Sequence, residues 1–562
     1  MRAITPVRVE IIRNALLAAA EEMSITIWRT SRSTVVRELL DFSTAVFDAD
    51  GNQIAQSARI PVHLNSMSAC LERLIGEFIP LEDWDDGDII VTNDPYSGGQ
   101  HLPDIQTFRP VFHEGRRIAI VGTLCHHVDV GGGAPGSYYA GATEIFQEGV
   151  RIPPLKLAER GALNQAVLRL VLANVRQPDE TGGDLQAQIA ALGVGVRALG
   201  RIAAKYGTAD LTAAATTLLD GSEAMMRAAI ATLPDGAAEF VELVDDDGQS
   251  DAPIRIAVRL EKHHETIRLD FAGSSPQVQG PVNNTRAMTC SAVYYALLAA
   301  LGQDIPANSG CYRPIEVTLP PGSVVDAVFP APVTGRMVVN HRIATAVFGA
   351  LAQLVPGRIP AAYYATSYVY ALAIIDPRLR RQVYFDIEVG GWGGHAGGDG
   401  ASALSCGLHN NTNAPIEMVE AKYPLTFLRY GLIPDSGGAG RGRGGLGLVR
   451  EFRLDAAQGT LSTNFERFRY PPYGIAGGRP GSLSRTTITR QDGAVEHLRS
   501  KVSGVPVGPG DVITIETSGG GGCGDPASRP RAEIERDLRD GFVTPAGAAR
   551  DYGFVPVGEA AQ

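Results

Sequence analysis

Two short polar stretches on either side of a strand–turn–strand pattern constrain this chain more than anything else in it. The first reads Asn93-Asp94-Pro95-Tyr96-Ser97-Gly98-Gly99-Gln100-His101-Leu102-Pro103-Asp104. The second reads Cys125-His126-His127-Val128-Asp129-Val130-Gly131-Gly132-Gly133. Between them Ile105 to Phe112 alternates toward strand character. His113-Glu114-Gly115-Arg116 has turn composition, and Arg117 to Leu124 is an apolar run containing Ile118, Ile120 and Val121. The pattern predicts one β-hairpin. If Phe112 pairs with Arg117, opposed residues sum to about 229, and Asp104 falls roughly opposite Cys125 and His126.

That neighbourhood suits a metal. Imidazole nitrogen with carboxylate oxygen favours Zn, Mn, Fe or Ni over Ca or Mg. Three protein ligands would leave positions open for water or substrate, the pattern of catalytic sites. The expected ligands are His101, Asp104 and His126. His127 and Asp129 come next, as replacement ligands or as partners that orient a ligating imidazole. His63 and Asp94 lie in or near the same region, and Asp129, Asp94 or His127 is expected to take the proton of an attacking water. The competing reading is that these histidines end turns and strands and bond the backbone; spacing alone leaves it open.

The block NDPYSGGQHLPD followed by HHVDVGG resembles the hydantoinase B family. Shorter matches run along the chain. Asp41-Phe42-Ser43, Ile60-Pro61-Val62-His63, Glu148-Gly149-Val150-Arg151-Ile152-Pro153-Pro154 and Asn174-Val175-Arg176 come first. Asp270-Phe271-Ala272-Gly273, Gly280-Pro281-Val282-Asn283, Asn308-Ser309-Gly310, Gly390-Gly391-Trp392-Gly393-Gly394 and Ser518 to Pro526 follow. Each is weak alone; their number and order are specific and cover nearly the whole chain. The family includes the B-type components of ATP-dependent hydantoinases, the C-terminal half of 5-oxoprolinase and components of acetone and acetophenone carboxylases. In the carboxylases a His-x-x-Asp pair and a downstream His hold the metal. Carried over, this implies His101, Asp104 and His126, with His127 adjacent to the third position.

At 562 residues the chain exceeds what one hydrophobic core supports, so several subdomains are expected. Three regions are read: 1–234, α/β and metal-binding with a helical pair; 235–360, a β-meander plus helices; and 361–562, Gly-rich and mostly β. The fold class is α+β. The net charge of −11 argues against nucleic acid, which needs clustered Lys and Arg. Six scattered Cys with no Cys-x-x-Cys pair exclude a zinc ribbon and fit a reducing cytoplasm. With no secretory leader pattern and no apolar run near 18 residues, no membrane association is expected.

Along the chain, Thr5-Pro6 opens a helix to about Thr30, and Asp48-Ala49-Asp50-Gly51 turns a hairpin. Helices are expected over 68–78, 163–173, 184–206, 209–232, 287–301 and 335–354, the pair at 184–232 antiparallel. The tail from Gly547 is expected to be loosely held. Trp392 and His395, in a Gly-rich loop, are candidate substrate contacts, and Arg336 is a candidate anion binder at a helix start. The Gly438–Gly447 run lacks the Lys-Ser/Thr of a phosphate loop, so no nucleotide-binding residues are assigned.

The resemblance therefore implies a B-type subunit that works with an A-type ATP-binding partner in a hetero-oligomer. A cyclic amide phosphorylated by the partner would be opened by a metal-activated water held here. An ATP-dependent ketone carboxylase with the same site is the alternative, and a non-catalytic scaffold for the partner is the second.

Overall fold

The computed structural model describes residues 4–302, 304–376 and 380–555. Thr5 accepts a hydrogen bond from the Arg8 N–H, and Pro6 fills a first-turn position whose N–H would be unpaired anyway, so α1 (Pro6–Thr30) starts where expected. Ile12, Leu16, Met23 and Ile27 recur at helical spacing and are buried against the Pro178–Tyr206 helix. Gly195 permits the approach, since a Cβ there would lie 2.5 Å from Met23 Sδ. The Pro178–Tyr206 helix starts earlier than the expected Asp184, with Pro178 in its first turn. After Gly207, at φ 85°, the chain continues as Thr208–Ala231. Among the described residues, Pro178–Tyr206 alone is long and apolar enough to cross a membrane; here one face packs on α1 and on the sheet described next.

That sheet has seven strands, β1 (Phe42–Phe47), β2 (Gln53–Gln56), β3 (Ile89–Thr92), β4 (Asp104–His113), β5 (Arg116–His126), β6 (Leu155–Glu159) and β7 (Ala162–Leu163), in the order β2-β1-β5-β4-β3-β6-β7. The helix expected from Ser68 starts at Pro61 and ends in a π turn at Leu74–Phe78, so His63 is helical. The expected meander is present as Gly236–Val244, Ile254–His263 and Thr266–Asp270, with Ile315–Thr318 added in parallel beside the third strand. Met337–Leu354 covers this sheet and packs on Arg286–Leu301. Two further sheets, of four and five strands, lie between Tyr368 and Glu516. One apolar core runs beneath the meander and the four-stranded sheet of that last part.

The glycine-rich C-terminal segments are not open loops. Gly445 donates to Trp392 O at 2.7 Å, Gly520 to Gly445 O at 2.9 Å, and Gly438 to Gly520 O at 2.8 Å. A Cβ on Gly391 would lie 1.9 Å from Gly445 O, and one on Gly520 2.0 Å from Trp392 O. Backbone packs on backbone, and glycine is what lets the hydrogen bonds form at that spacing. The tail is also firmer than expected: Thr544 caps a Pro545–Tyr552 helix in which Gly547 and Ala548 are buried. Residues 556–562 lie outside the described residues.

Candidate metal centre

The β4–β5 hairpin begins in the expected register, Phe112 opposite Arg117, and then shifts. Ile118 is an extra residue on β5, so from Val111–Ala119 onward each pair is displaced by one, and Asp104 lies directly opposite His126. His101 stands in the turn before β4, closed by Asp104 N–H donating to His101 O at 3.0 Å. Three side chains from the two hairpin arms thus meet, each fully or almost fully buried.

Ligand atoms of His101, Asp104 and His126 all lie within 4.8 Å of one another. His101 Nε2 is 3.2 Å from Asp104 Oδ1. His101 Nδ1 donates to Thr334 O at 3.2 Å, which fixes its proton there and leaves the Nε2 lone pair free. His101 Nε2, Asp104 Oδ1 and both ring nitrogens of His126 are buried without a hydrogen-bond partner. Such atoms are costly to desolvate and leave unpaired. The His101–Asp104 separation of 3.2 Å is close to the edge of about 3.4 Å in a tetrahedral site with bonds of about 2.1 Å. The donor set of two imidazoles and one carboxylate therefore fits a divalent transition metal.

Burial keeps the imidazoles neutral. It pushes His126 and His63 down to about 3, and His101 well below its usual value, so each offers a lone pair. Burial, with the Asp104 charge second, raises Asp41 to about 8. Arg336 precedes the Met337–Leu354 helix, and its Nη2 donates to Asp104 Oδ2 at 2.8 Å and to Gln100 Oε1 at 2.7 Å. One carboxylate oxygen thus holds the guanidinium while the other faces His101. Arg336 Nε and Nη1 are buried and unpartnered.

Asp104, His126, Arg336 and Tyr138 line a cavity of about 30 Å³, together with Asp41, His63, Ser367 and His409 among others. That volume holds water and little more. His63 Nε2 lies 3.5 Å from Asp41 Oδ1, and its Nδ1 3.2 Å from Ser43 Oγ. Sequence reasoning placed His63 in or near the region without a role, quoted the Asp41 segment only as a family match, and gave Tyr138, Ser367 and His409 no role. Only folding brings these distant segments together.

Other expected site residues lie elsewhere. His127 turns away from His126 and meets Gln188 Oε1 through Nε2 at 3.1 Å. Asp129 accepts from the N–H groups of Gly131, Gly136 and Arg176 and from Arg176 Nη1. Asp94 accepts from Tyr96 N–H, Ser97 Oγ and Arg151 Nη2. Both carboxylates anchor loops, with their acceptor sites occupied. Trp392 and His395 are absent from the cavity lining: Trp392 Nε1 donates to Leu404 O, and His395 is exposed with Nδ1 accepting from Gly397 N–H. Of the expected substrate contacts, Arg336 alone reaches the cavity.

Residues 5–526 match the family model described as hydantoinase B/oxoprolinase. The B component of a putative D-/L-hydantoinase from a Pseudomonas species is 32% identical, covering 98% of this chain and 95% of its own. The crystal structure of the ATP-dependent caprolactamase from Pseudomonas jessenii superposes with a TM-score of 0.93 at 31% identity, over 99% of this chain and 97% of that one. Nucleotide-free acetone carboxylase shares the fold, with a TM-score of 0.92 at 21% identity over 98% of this chain and 80% of that one. With its mixed α and β architecture and a match running almost end to end, the chain belongs to the hydantoinase B/oxoprolinase family.

Proposed function

We propose that this chain is the B-type subunit of an ATP-dependent cyclic-amide hydrolase and acts with an A-type, ATP-binding partner in a hetero-oligomer. The observation that carries the reading is the convergence of His101 Nε2, Asp104 Oδ1 and the His126 ring, buried and unpaired, on one point beside a water-sized cavity. The relatives named hydantoinase and caprolactamase support the substrate class. The Gly438–Gly447 run is filled by neighbouring backbone, which supports leaving nucleotide handling to the partner.

A ring amide resists attack because its C–N bond is resonance-stabilised. Phosphorylation of the ring oxygen by the partner makes the carbon electrophilic. A divalent transition metal held by His101, Asp104 and His126 would supply Lewis acidity and lower the pKa of water. Thr334 orients the His101 ring, and Arg336 fixes Asp104. The unpartnered Nε and Nη1 of Arg336 are suited to an anionic oxygen on the activated substrate.

The test is co-expression with the A-type partner, followed by assay of hydantoin, 5-oxoproline and caprolactam with ATP and varied divalent metals. Ring opening that needs metal and His101, and that proceeds without bicarbonate, is expected. Unchanged turnover in His101→Ala, or turnover that requires bicarbonate, would overturn the reading.

A further inference from the structure

A second buried group, His341, Cys406 and His409, also brings its potential ligand atoms within 4.8 Å of one another. It differs from the trio in one decisive respect: every ring nitrogen already has a hydrogen-bond partner. Tyr363 OH lies 2.9 Å from His341 Nδ1, and His341 Nε2 lies 3.1 Å from Ser367 Oγ. Ser367 Oγ lies 2.7 Å from His409 Nδ1, and His409 Nε2 lies 3.1 Å from Tyr364 OH. All five side chains are buried.

One direction of the chain satisfies the proton count of its members. Tyr364 OH accepts the Cys406 N–H at 2.8 Å and gives its single proton to His409 Nε2. His409, held neutral by burial at a pKa of about 3, then carries its proton on Nδ1 and donates to Ser367. Ser367 donates to His341 Nε2, and His341 Nδ1 donates to Tyr363 OH. Tyr364, His409, Ser367 and His341 each give one bond and receive one, so a proton can move one place along them without breaking the chain. The near end opens on the chemistry, because Ser367 and His409 line the cavity that contains Asp104 and His126. At the far end the Tyr363 ring stacks on Trp392, centroids 5.6 Å apart and planes at 29°.

We propose that Ser367, held between His409 and His341, is the cavity end of a proton relay that serves ring opening. The proposal rests on the cyclic-amide reading above. As the water oxygen bonds to the ring carbon, its O–H bond breaks and the proton goes to Ser367 Oγ. Ser367 passes its own proton to His341 Nε2. When the ring C–N bond breaks, nitrogen keeps the electron pair and takes a proton from Ser367, while His341 returns its own; the carbon is left as an acyl phosphate, which a second water cleaves to carboxylate and inorganic phosphate. The relay ends as it began, and nothing is oxidised or reduced. Burial disfavours the His341 imidazolium, so its uptake of the proton is the uphill half of the relay and the return the downhill half.

The test uses the complex with the A-type partner and compares wild type with Ser367→Ala, Ser367→Thr and His409→Gln. Ser367→Ala and His409→Gln should lower kcat about 100-fold or more, the scale of acid–base catalysis, with KM and metal content unchanged. Ser367→Thr, which keeps the hydroxyl, should retain most of the activity. Rates in mixed H2O and D2O should bow with deuterium fraction in wild type and become linear in Ser367→Ala. Independently of any substrate, the 15N imidazole signals of His409 and His341 should shift together in Ser367→Ala. Full kcat in Ser367→Ala, unmoved imidazole signals, or a second metal equivalent lost in His409→Gln would each overturn the relay. Absence of turnover in wild type on all three substrates would instead refute the cyclic-amide reading, and the imidazole signals would still decide whether the chain exists.

Discussion

Asp104 lies directly across the β-ladder from His126 because β5 takes one extra residue, Ile118. Without that bulge the partner of Asp104 would be Cys125, whose side chain belongs to the opposite face and packs in the core beneath the sheet. One inserted residue near the turn thus decides, at the far end of the hairpin, which side chain the carboxylate meets.

Loss of one ligand should abolish metal binding without unfolding the chain. We expect His101→Ala and His126→Ala to lose the bound metal, measured by elemental analysis. Wild type should gain about 2.7 kcal/mol of stability when free metal is 100 times Kd, read as a rise in Tm. The variants should show no such rise.

Arg336 and Asp104 form a buried pair whose members need each other. Arg336→Met should cost about 3–5 kcal/mol in denaturant unfolding, because it strands the carboxylate in a site with little water. Arg336→Lys should restore part of the stability and little of the turnover, since an ammonium can take over the two bonds of Nη2 but not the unpartnered Nε and Nη1 donors.

Glu148 accepts from the Val333 and Thr334 N–H groups through one oxygen, and burial pushes its carboxyl up to about 8 from an ordinary value near 4.5. The folded state therefore binds the proton more tightly than the unfolded chain. Its contribution is fully present below about 4.5 and is lost as pH rises through about 8, with a limiting slope of about 1.4 kcal/mol per pH unit. Glu148→Gln keeps an acceptor and cannot ionise. Its Tm against pH should be flatter between 5 and 8 than that of wild type.

The glycine array should be intolerant where backbone touches backbone. Gly391→Ala and Gly520→Ala should each cost more than about 3 kcal/mol or prevent folding. Gly115→Ala, in an exposed turn with open space around its Cβ position, should cost only about 1 kcal/mol, from its φ of 72°. Unfolding midpoints of the three variants decide the point.

The proximity of the trio was legible because it is local, a His-x-x-Asp turn, two strands and a tight turn within one short hairpin, although the bulge at Ile118 that sets its final register was not. Arg336 was legible as a charge near a helix start, but its partner Asp104 lies 232 residues away, and no local pattern encodes that contact. Asp94 and Asp129 carried the same letters a proton acceptor would carry. Their loops claim the carboxylates instead, and only the positions of the surrounding N–H groups reveal it. The glycine runs read as loops because composition reports what a backbone can do, and it does not say which neighbouring backbones hold them.

The cavity at the centre has room for a solvent molecule, and its walls come from β4 and β5, from the helix carrying His63, and from segments near Arg336, Ser367 and His409. The phosphorylated ring of the proposed function is many times larger. On that reading each turnover begins with these walls drawing apart and ends with their return, so the pace of the reaction would be coupled to how easily distant stretches of chain can separate and re-seat.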